Sequence, residues 1–194
     1  MNIVARIFFK FDKEVRILFG KPYRLHSIDR KILEQQLLPW FAARQEMTKV
    51  LFVGCDAYTV HYQNIFSKQE YWTIEPDVQK AKFGSKNHIV DRLENLEAHL
   101  PQNYFDLIVC NGIYGWGLNE KDAIEKAFKA CNTCLRNGGY FILGWNDLPD
   151  KTPVLLSSIQ ALQLFSPFSN QFIGGPRIIT PTEHRHVFDL YQRK

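Results

Sequence analysis

The stretch Lys49-Val50-Leu51-Phe52-Val53-Gly54-Cys55-Asp56 constrains this chain most: an apolar run stops at a glycine and a carboxylate, and Glu75 follows 21 residues after Gly54. A run of this kind, bounded by a glycine turn, reads as a strand buried on both faces, so helices must cover both sides of its sheet. An acid about 20 positions further on, closing the next strand, is where an α/β sheet holds a ribose hydroxyl. Gly54 and Glu75 together point to a nucleotide-containing ligand.

The same grammar repeats along the chain. Ser27 precedes an apolar rhythm at Ile28, Ile32, Leu33, Leu37 and Phe41, which predicts a capped amphipathic helix kinked or ended by Pro39. Strands are predicted at 49–54, 71–75, 88–91, 104–110 and 140–144, with helices from near Tyr58, over about 77–83 and over 93–100 between them. Asn119 is placed to cap a helix with Ile124, Phe128, Cys131 and Leu135 on its apolar face, and Asn137-Gly138-Gly139 to end it. A helix around 155–164 and two further strands, 177–180 and 186–191, complete the pattern.

Alternating strands and helices imply right-handed crossovers and a parallel sheet. Ligands bind such sheets beyond the carboxyl ends of the strands. Gly54-Cys55-Asp56, Glu75, Asp91 and Asn111 each stand at one of those ends, on four successive strands.

At 194 residues the chain suits one domain with one core. Its longest apolar runs near the N-terminus, such as Ile7-Phe8-Phe9, are far short of a signal or membrane segment, which predicts a soluble cytoplasmic protein. The formal charge of +4 is uneven: residues 1–31 carry +5 and the remainder −1. With Phe8, Phe9, Phe11, Ile17, Leu18 and Phe19 interleaved, residues 1–24 could lie on an anionic membrane or on nucleic acid, or rest their apolar side on the domain. The four cysteines give no disulfide framework; Cys131-x-x-Cys134 has no second pair, so metal binding is not expected and all four read as small buried residues.

From about Lys49 to Trp145 the chain resembles the class I S-adenosylmethionine-dependent methyltransferases. Val50 to Cys55 resembles the first motif of that family, Glu75 its ribose-binding acid and Asp91 its adenine-contacting acid. Phe105 to Asn111 resembles the fourth-strand motif, and Leu135-Arg136-Asn137-Gly138-Gly139-Tyr140 the turn into the fifth strand. The resemblance implies an α/β, three-layer Rossmann-like methyltransferase fold: a mostly parallel seven-stranded sheet with a C-terminal antiparallel strand. Residues 1–46 would form an N-terminal arm and helix packed on a methyltransferase-like domain at 47–194, one domain overall. It implies S-adenosyl-L-methionine as cofactor, held by Gly54, Cys55, Asp56, Glu75, Asp91, Asn111 and Ile113, with Ile113 packing on the adenine face or shaping the pocket floor.

The glycine loop departs from the family, which has Gly-x-Gly-x-Gly where this chain has Gly54-Cys55-Asp56-Ala57-Tyr58. Glycines there permit positive φ and close approach of a ligand. Asp56 also discriminates between cofactors: its charge repels a pyrophosphate and attracts a sulfonium or an ammonium. This disfavours a nicotinamide-dependent oxidoreductase, as does the lack of Gly-x-Gly-x-x-Gly.

Methyl transfer needs placement of the acceptor and exclusion of water, and a base only if the acceptor must lose a proton. The loop Asn111-Gly112-Ile113-Tyr114-Gly115-Trp116-Gly117 is the acceptor-side candidate, with Asn111 offering an amide and Tyr114 and Trp116 aromatic faces; the two rings could instead fill the core. It lacks the Asn-Pro-Pro-Tyr pattern of amino-directed nucleic-acid methyltransferases, so a small-molecule substrate is favoured over nucleic acid. His61, near the expected sulfonium position, is the candidate base. The leading reading is therefore methyl transfer to a small molecule. The second is a methyltransferase-like module without turnover, binding a partner, membrane surface or nucleic acid through its basic arm.

Overall fold

The computed structural model describes residues 19, 21–169 and 174–194. Most of the basic arm, including Phe8, Phe9 and Phe11, lies outside the described residues.

Five parallel strands form the centre: β1 (Lys49–Val53), β2 (Glu70–Ile74), β3 (Asn87–Ile89), β4 (Phe105–Asn111) and β5 (Leu135–Asn146), in the spatial order β3-β2-β1-β4-β5. Strand order reverses between β1 and β4, and a crevice opens beyond their carboxyl ends. Three further strands complete the sheet: β6 (Phe165–Pro167), β7 (Arg177–Ile179) and β8 (His186–Arg193). β8 runs antiparallel to β5, with Asn146 opposite His186. β6 and β7 both pair with the outer edge of β8, at Tyr191–Arg193 and at Val187–Asp189 respectively. They make one interrupted edge strand, so eight strands fill seven positions. The three-layer Rossmann-like architecture is as expected.

The period of two along each strand sorts side chains between the layers. On one face Leu51, Val53, Ile108 and Phe141 pack with Ile124, Phe128 and Cys131 of the 14-residue helix Lys121–Cys134. On the other, Val50, Phe52, Val109 and Ile142 meet Leu33, Leu37, Phe41, Tyr62 and Phe66. All four cysteines are buried.

Several helices differ from the sequence pattern. α1 (Ile28–Ile32) continues through a π-helical stretch, Leu33–Leu37, into α2 (Leu38–Ala42). The widened turn precedes Pro39, which has no N–H and whose ring crowds the carbonyl four residues back. Ser27 stands at the cap position without a side-chain bond. The first crossover helix is a single turn, α3 (Tyr62–Ile65), because Asp56 and Thr59 close the preceding loop by their own hydrogen bonds. Leu93–Asn95 is a 3-10 turn leading into α4 (Leu96–His99).

Lys121–Cys134, α5, follows Glu120 rather than Asn119 and has no side-chain cap. It ends at Cys134 with Leu135 already extended. Asn137-Gly138-Gly139 therefore bends strand β5 instead of closing the helix: Gly138 has φ +71°, and a Cβ on Gly139 would lie 2.9 Å from the Arg136 carbonyl oxygen. Residues 155–164 form two 3-10 turns, Leu156–Ser158 and Gln160–Leu164, since the amides of Gln160 and Ala161 donate to the Glu125 carboxylate, each at 2.8 Å.

Candidate functional site

β1 leads directly into Gly54, whose φ of +79° only glycine adopts readily. A Cβ there would lie 3.2 Å from Ile113 Cγ2 and 3.9 Å from Glu75 Oε2. The close approach of Gly54, Ile113 and Glu75 brings the ends of β1, β2 and β4 to one cavity of about 220 Å³, which Cys55, Asp56 and Asn111 also line. Glu75 is held at its mouth: Oε2 accepts from Cys55 N at 3.4 Å and Oε1 from Asp77 N at 3.1 Å. The Cys55 thiol is an inert packing group, its pKa pushed up to about 12 by burial and by the nearby Glu75 carboxylate.

The absent glycines turn out not to be required by the backbone. Among the described residues the non-glycine positions with positive φ are Asn103 and Arg185, so neither Asp56 nor Tyr58 needs one. A local network shapes the loop instead. Asp56 N donates to Thr59 Oγ1 at 3.0 Å, the Thr59 hydroxyl donates to the Asp56 carbonyl at 3.0 Å, and Ala57 N donates to Asp56 Oδ1 at 2.7 Å. The other carboxylate oxygen, Oδ2, faces Lys80 Nζ at 3.3 Å. Burial alone would lower the Lys80 pKa; the Asp56 and Glu75 carboxylates outweigh it and raise the value, so the ammonium stays charged.

Asp91 does not line the cavity, in contrast to its expected role. It accepts from His99 Nε2 at 2.7 Å, Asn95 Nδ2 at 2.8 Å and Arg92 N at 2.7 Å, and these bonds lower its pKa to about 2. It organises the turn into the Leu93–Asn95 segment, and Arg92, Leu93 and Glu94 face the cavity in its place.

A second, larger cavity of about 770 Å³ adjoins the first, sharing Tyr58, Lys80, Gly112 and Trp116 as walls. α1 supplies Asp29 and Arg30, β5 supplies Asn146, and the segment entering β8 supplies His184 and His186. Of the acceptor-loop residues, Trp116 is 58 % exposed and borders both cavities, with Lys151 Nζ 4.3 Å from its ring centroid. Tyr114, by contrast, is fully buried: its hydroxyl donates to the Val154 carbonyl and its ring packs near Phe128 and Trp145. It is a core residue, not an acceptor contact.

His61 is likewise displaced from its expected position. Its Nε2 lies 3.0 Å from Glu34 Oε2 and its ring stands edge-on to Tyr62; it borders neither cavity. The histidines that border the larger cavity are His184 and, bonded between two asparagines, His186. The Nε2 of His186 is 3.0 Å from Asn111 Oδ1 and its Nδ1 is 2.6 Å from Asn146 Oδ1. Sequence reading had no signal for this contact, because 75 residues separate His186 from Asn111. Lys80 was equally hidden, lying in a 3-10 segment (Val78–Phe83) with no motif of its own.

Residues 51–143 match the family model described as a methyltransferase domain. The fold is shared with the N-methyltransferase NodS of Bradyrhizobium japonicum WM9 (TM-score 0.64, 12% identity, 87% of this chain and 99% of that one). It is shared too with a TehB-like S-adenosylmethionine-dependent methyltransferase of Corynebacterium glutamicum (0.57, 15%, 85% and 94%). A third likeness is the 1,6-didemethyltoxoflavin-N1-methyltransferase of Burkholderia thailandensis (0.55, 12%, 98% and 89%). In sequence, the chain is 24% identical over 114 residues to the uncharacterised protein RP028 of Rickettsia prowazekii (strain Madrid E), covering 54% of this chain and 45% of that one. The chain thus spans less than half the length of this relative.

Proposed function

We propose that this chain, which carries a class I S-adenosylmethionine-dependent methyltransferase domain, moves a methyl group from S-adenosylmethionine to a small-molecule acceptor. The observation that carries this reading is the pair of adjoining cavities: a smaller one walled by Gly54, Glu75 and Ile113, and a larger one that shares Gly112 and Trp116 with it. The residues present fit the cofactor. Each Glu75 oxygen accepts one long backbone bond, and a carboxylate has about four lone-pair positions, so two remain for a ribose diol. Ile113 and Leu93 offer apolar walls to a base, and among the charged lining residues the carboxylates Asp56, Glu75 and Glu94 outnumber the cations Lys80 and Arg92, a balance suited to a sulfonium and an ammonium.

Bound S-adenosylmethionine supplies an electrophilic methyl group. The chain's own part is to orient and to keep water out. Trp116 offers a face to an acceptor, Asn146 offers it an amide donor and acceptor, Asn111 offers the same groups to the smaller cavity, and the shared wall brings the two ligands side by side. The Burkholderia neighbour is described with 1,6-didemethyltoxoflavin and S-adenosylhomocysteine bound, which supports a small acceptor, and NodS with S-adenosylhomocysteine, which supports the cofactor.

Calorimetric titration of the full chain with S-adenosylmethionine tests the reading. Saturable binding is expected, weakened about tenfold in Glu75→Ala, equivalent to about 1.4 kcal/mol. Absence of binding by the unaltered chain would sink it.

A further inference from the structure

Asn111, His186 and Asn146 form a buried polar row across the wall between the two cavities. They are 7%, 7% and 8% exposed, and Asn111 borders the smaller cavity whereas His186 and Asn146 border the larger. The sheet builds the row. Asn111 on β4 pairs with Gly144 on β5, and Asn146, two residues on, pairs with His186 on β8. Gly144 makes room for it, since a Cβ there would lie 1.9 Å from Asn111 Oδ1 and 3.1 Å from His186 Nε2.

Each imidazole nitrogen meets an asparagine amide, Nδ1 at 2.6 Å and Nε2 at 3.0 Å. A neutral ring has one N–H and one lone pair. It can donate to one of these amides through that amide's oxygen, and must accept an N–H from the other. Burial keeps the ring neutral, with its pKa lowered to about 4; Asp29 from α1 opposes this, while Arg30 and His184 reinforce it. The ring nitrogens stand against Oδ1 of both asparagines, and because a neutral ring can donate to only one oxygen, it requires one of the two carboxamides to be turned so that its NH₂ faces the ring. When Asn146 gives its oxygen to the ring, its NH₂ is left for the larger cavity and Asn111 keeps its oxygen for the smaller one. The other tautomer reverses both.

We propose that His186 is a positioning residue that couples the two cavities: its tautomer sets, in opposite senses, whether Asn111 offers a donor or an acceptor to one ligand and Asn146 to the other. The proposal rests on the reading of the smaller cavity as the cofactor site. A cofactor that selects one orientation of Asn111 thereby selects the hydrogen-bonding pattern the acceptor must match. Coupling of this kind needs no movement of the backbone, only rotation of two amides and transfer of the ring proton between its nitrogens.

The test is imidazole ¹⁵N NMR of the full chain at pH 7.5, with calorimetry on the same sample, before and after saturation with S-adenosylhomocysteine. A shift of the His186 tautomer ratio by about twofold or more is expected. Calorimetric binding with an unchanged tautomer ratio would overturn the coupling and leave the cofactor reading standing. Calorimetric silence would instead remove the cofactor reading, and the coupling with it. A second arm compares side chains: His186→Gln, which retains one donor and one acceptor, should bind S-adenosylhomocysteine within about twofold of the unaltered chain, and His186→Phe about fivefold more weakly. Equal affinity of the two variants would also overturn the proposal.

Discussion

Lys80 Nζ stands 3.3 Å from Asp56 Oδ2 at the border of the two cavities, so the carboxylate that replaces a family glycine has a cation of its own. Both groups are partly exposed, and the pair is accordingly worth little for stability. Its consequence lies in ligand choice. Lys80→Met leaves Asp56 without its partner and should favour cationic S-adenosylmethionine over uncharged-sulfur S-adenosylhomocysteine by about threefold more than in the unaltered chain; Asp56→Asn should shift the ratio the other way. Calorimetry with both ligands, repeated at higher salt to screen the effect, measures the ratio.

Gly144→Ala places a methyl carbon where the Asn111 side-chain oxygen now is, 1.9 Å away. Asn111 must turn aside and its bond to His186 is lost. Denaturant melts should show a loss of about 1–3 kcal/mol. Calorimetry should show weaker cofactor binding, because Asn111 lines the smaller cavity.

Asp106 holds the start of the sheet together. It accepts from Thr48 N at 2.7 Å and from Thr48 Oγ1 and Lys49 N at 2.8 Å, and pairs with Arg136. Burial pulls its pKa up, but the bonds from Lys49, Thr48 and Arg136 outweigh it and the value is lowered. A depressed carboxyl contributes stability above its ordinary pKa and loses it as pH falls through the folded-state value. Asp106→Asn should cost about 2–4 kcal/mol at pH 7 by chemical denaturation and flatten the acid limb of the stability profile.

His186 produces a second pH dependence. Its folded pKa of about 4 lies below the ordinary value of 6.5, so the unfolded chain binds the proton first. Stability from this group is complete above pH 6.5 and is lost as pH falls from there toward 4, by up to about 3 kcal/mol. Urea melts across that range should show the slope, and His186→Gln should remove it.

Tyr114 and Trp116 separate stability from binding. Tyr114→Ala empties a fully buried site and should lower stability by about 3–5 kcal/mol. Trp116→Ala, at an exposed position bordering both cavities, should leave the melting curve nearly unchanged. Acceptor or cofactor binding should be weakened by the second substitution, measured by calorimetry.

That Gly54, Glu75 and Asn111 stand on one rim was legible because each directly follows an apolar run, and a run's end is a local property; Ile113, two residues past Asn111, was named only through the family resemblance. The fold was legible for the same reason, through the order of those runs. Asp91 was misplaced because standing at a strand end does not say which way the side chain turns; three donors within eight residues, Arg92, Asn95 and His99, draw it away from the cavity. His61 and Tyr114 were drawn off in the same way, by Glu34 and by the core around Phe128.

By itself the sequence determined the doubly covered parallel sheet, the rim that carries the site and the glycine at which β1 must turn, all consequences of short-range hydrophobic pattern and backbone freedom. Tertiary structure alone decided that Lys80 would face Asp56 and that His186 would join Asn111 and Asn146. Those contacts depend on the antiparallel return of β8 beside β5 and on the space left at Gly144, and hydrogen bonds between groups so distant along the chain exist only once the sheet has closed.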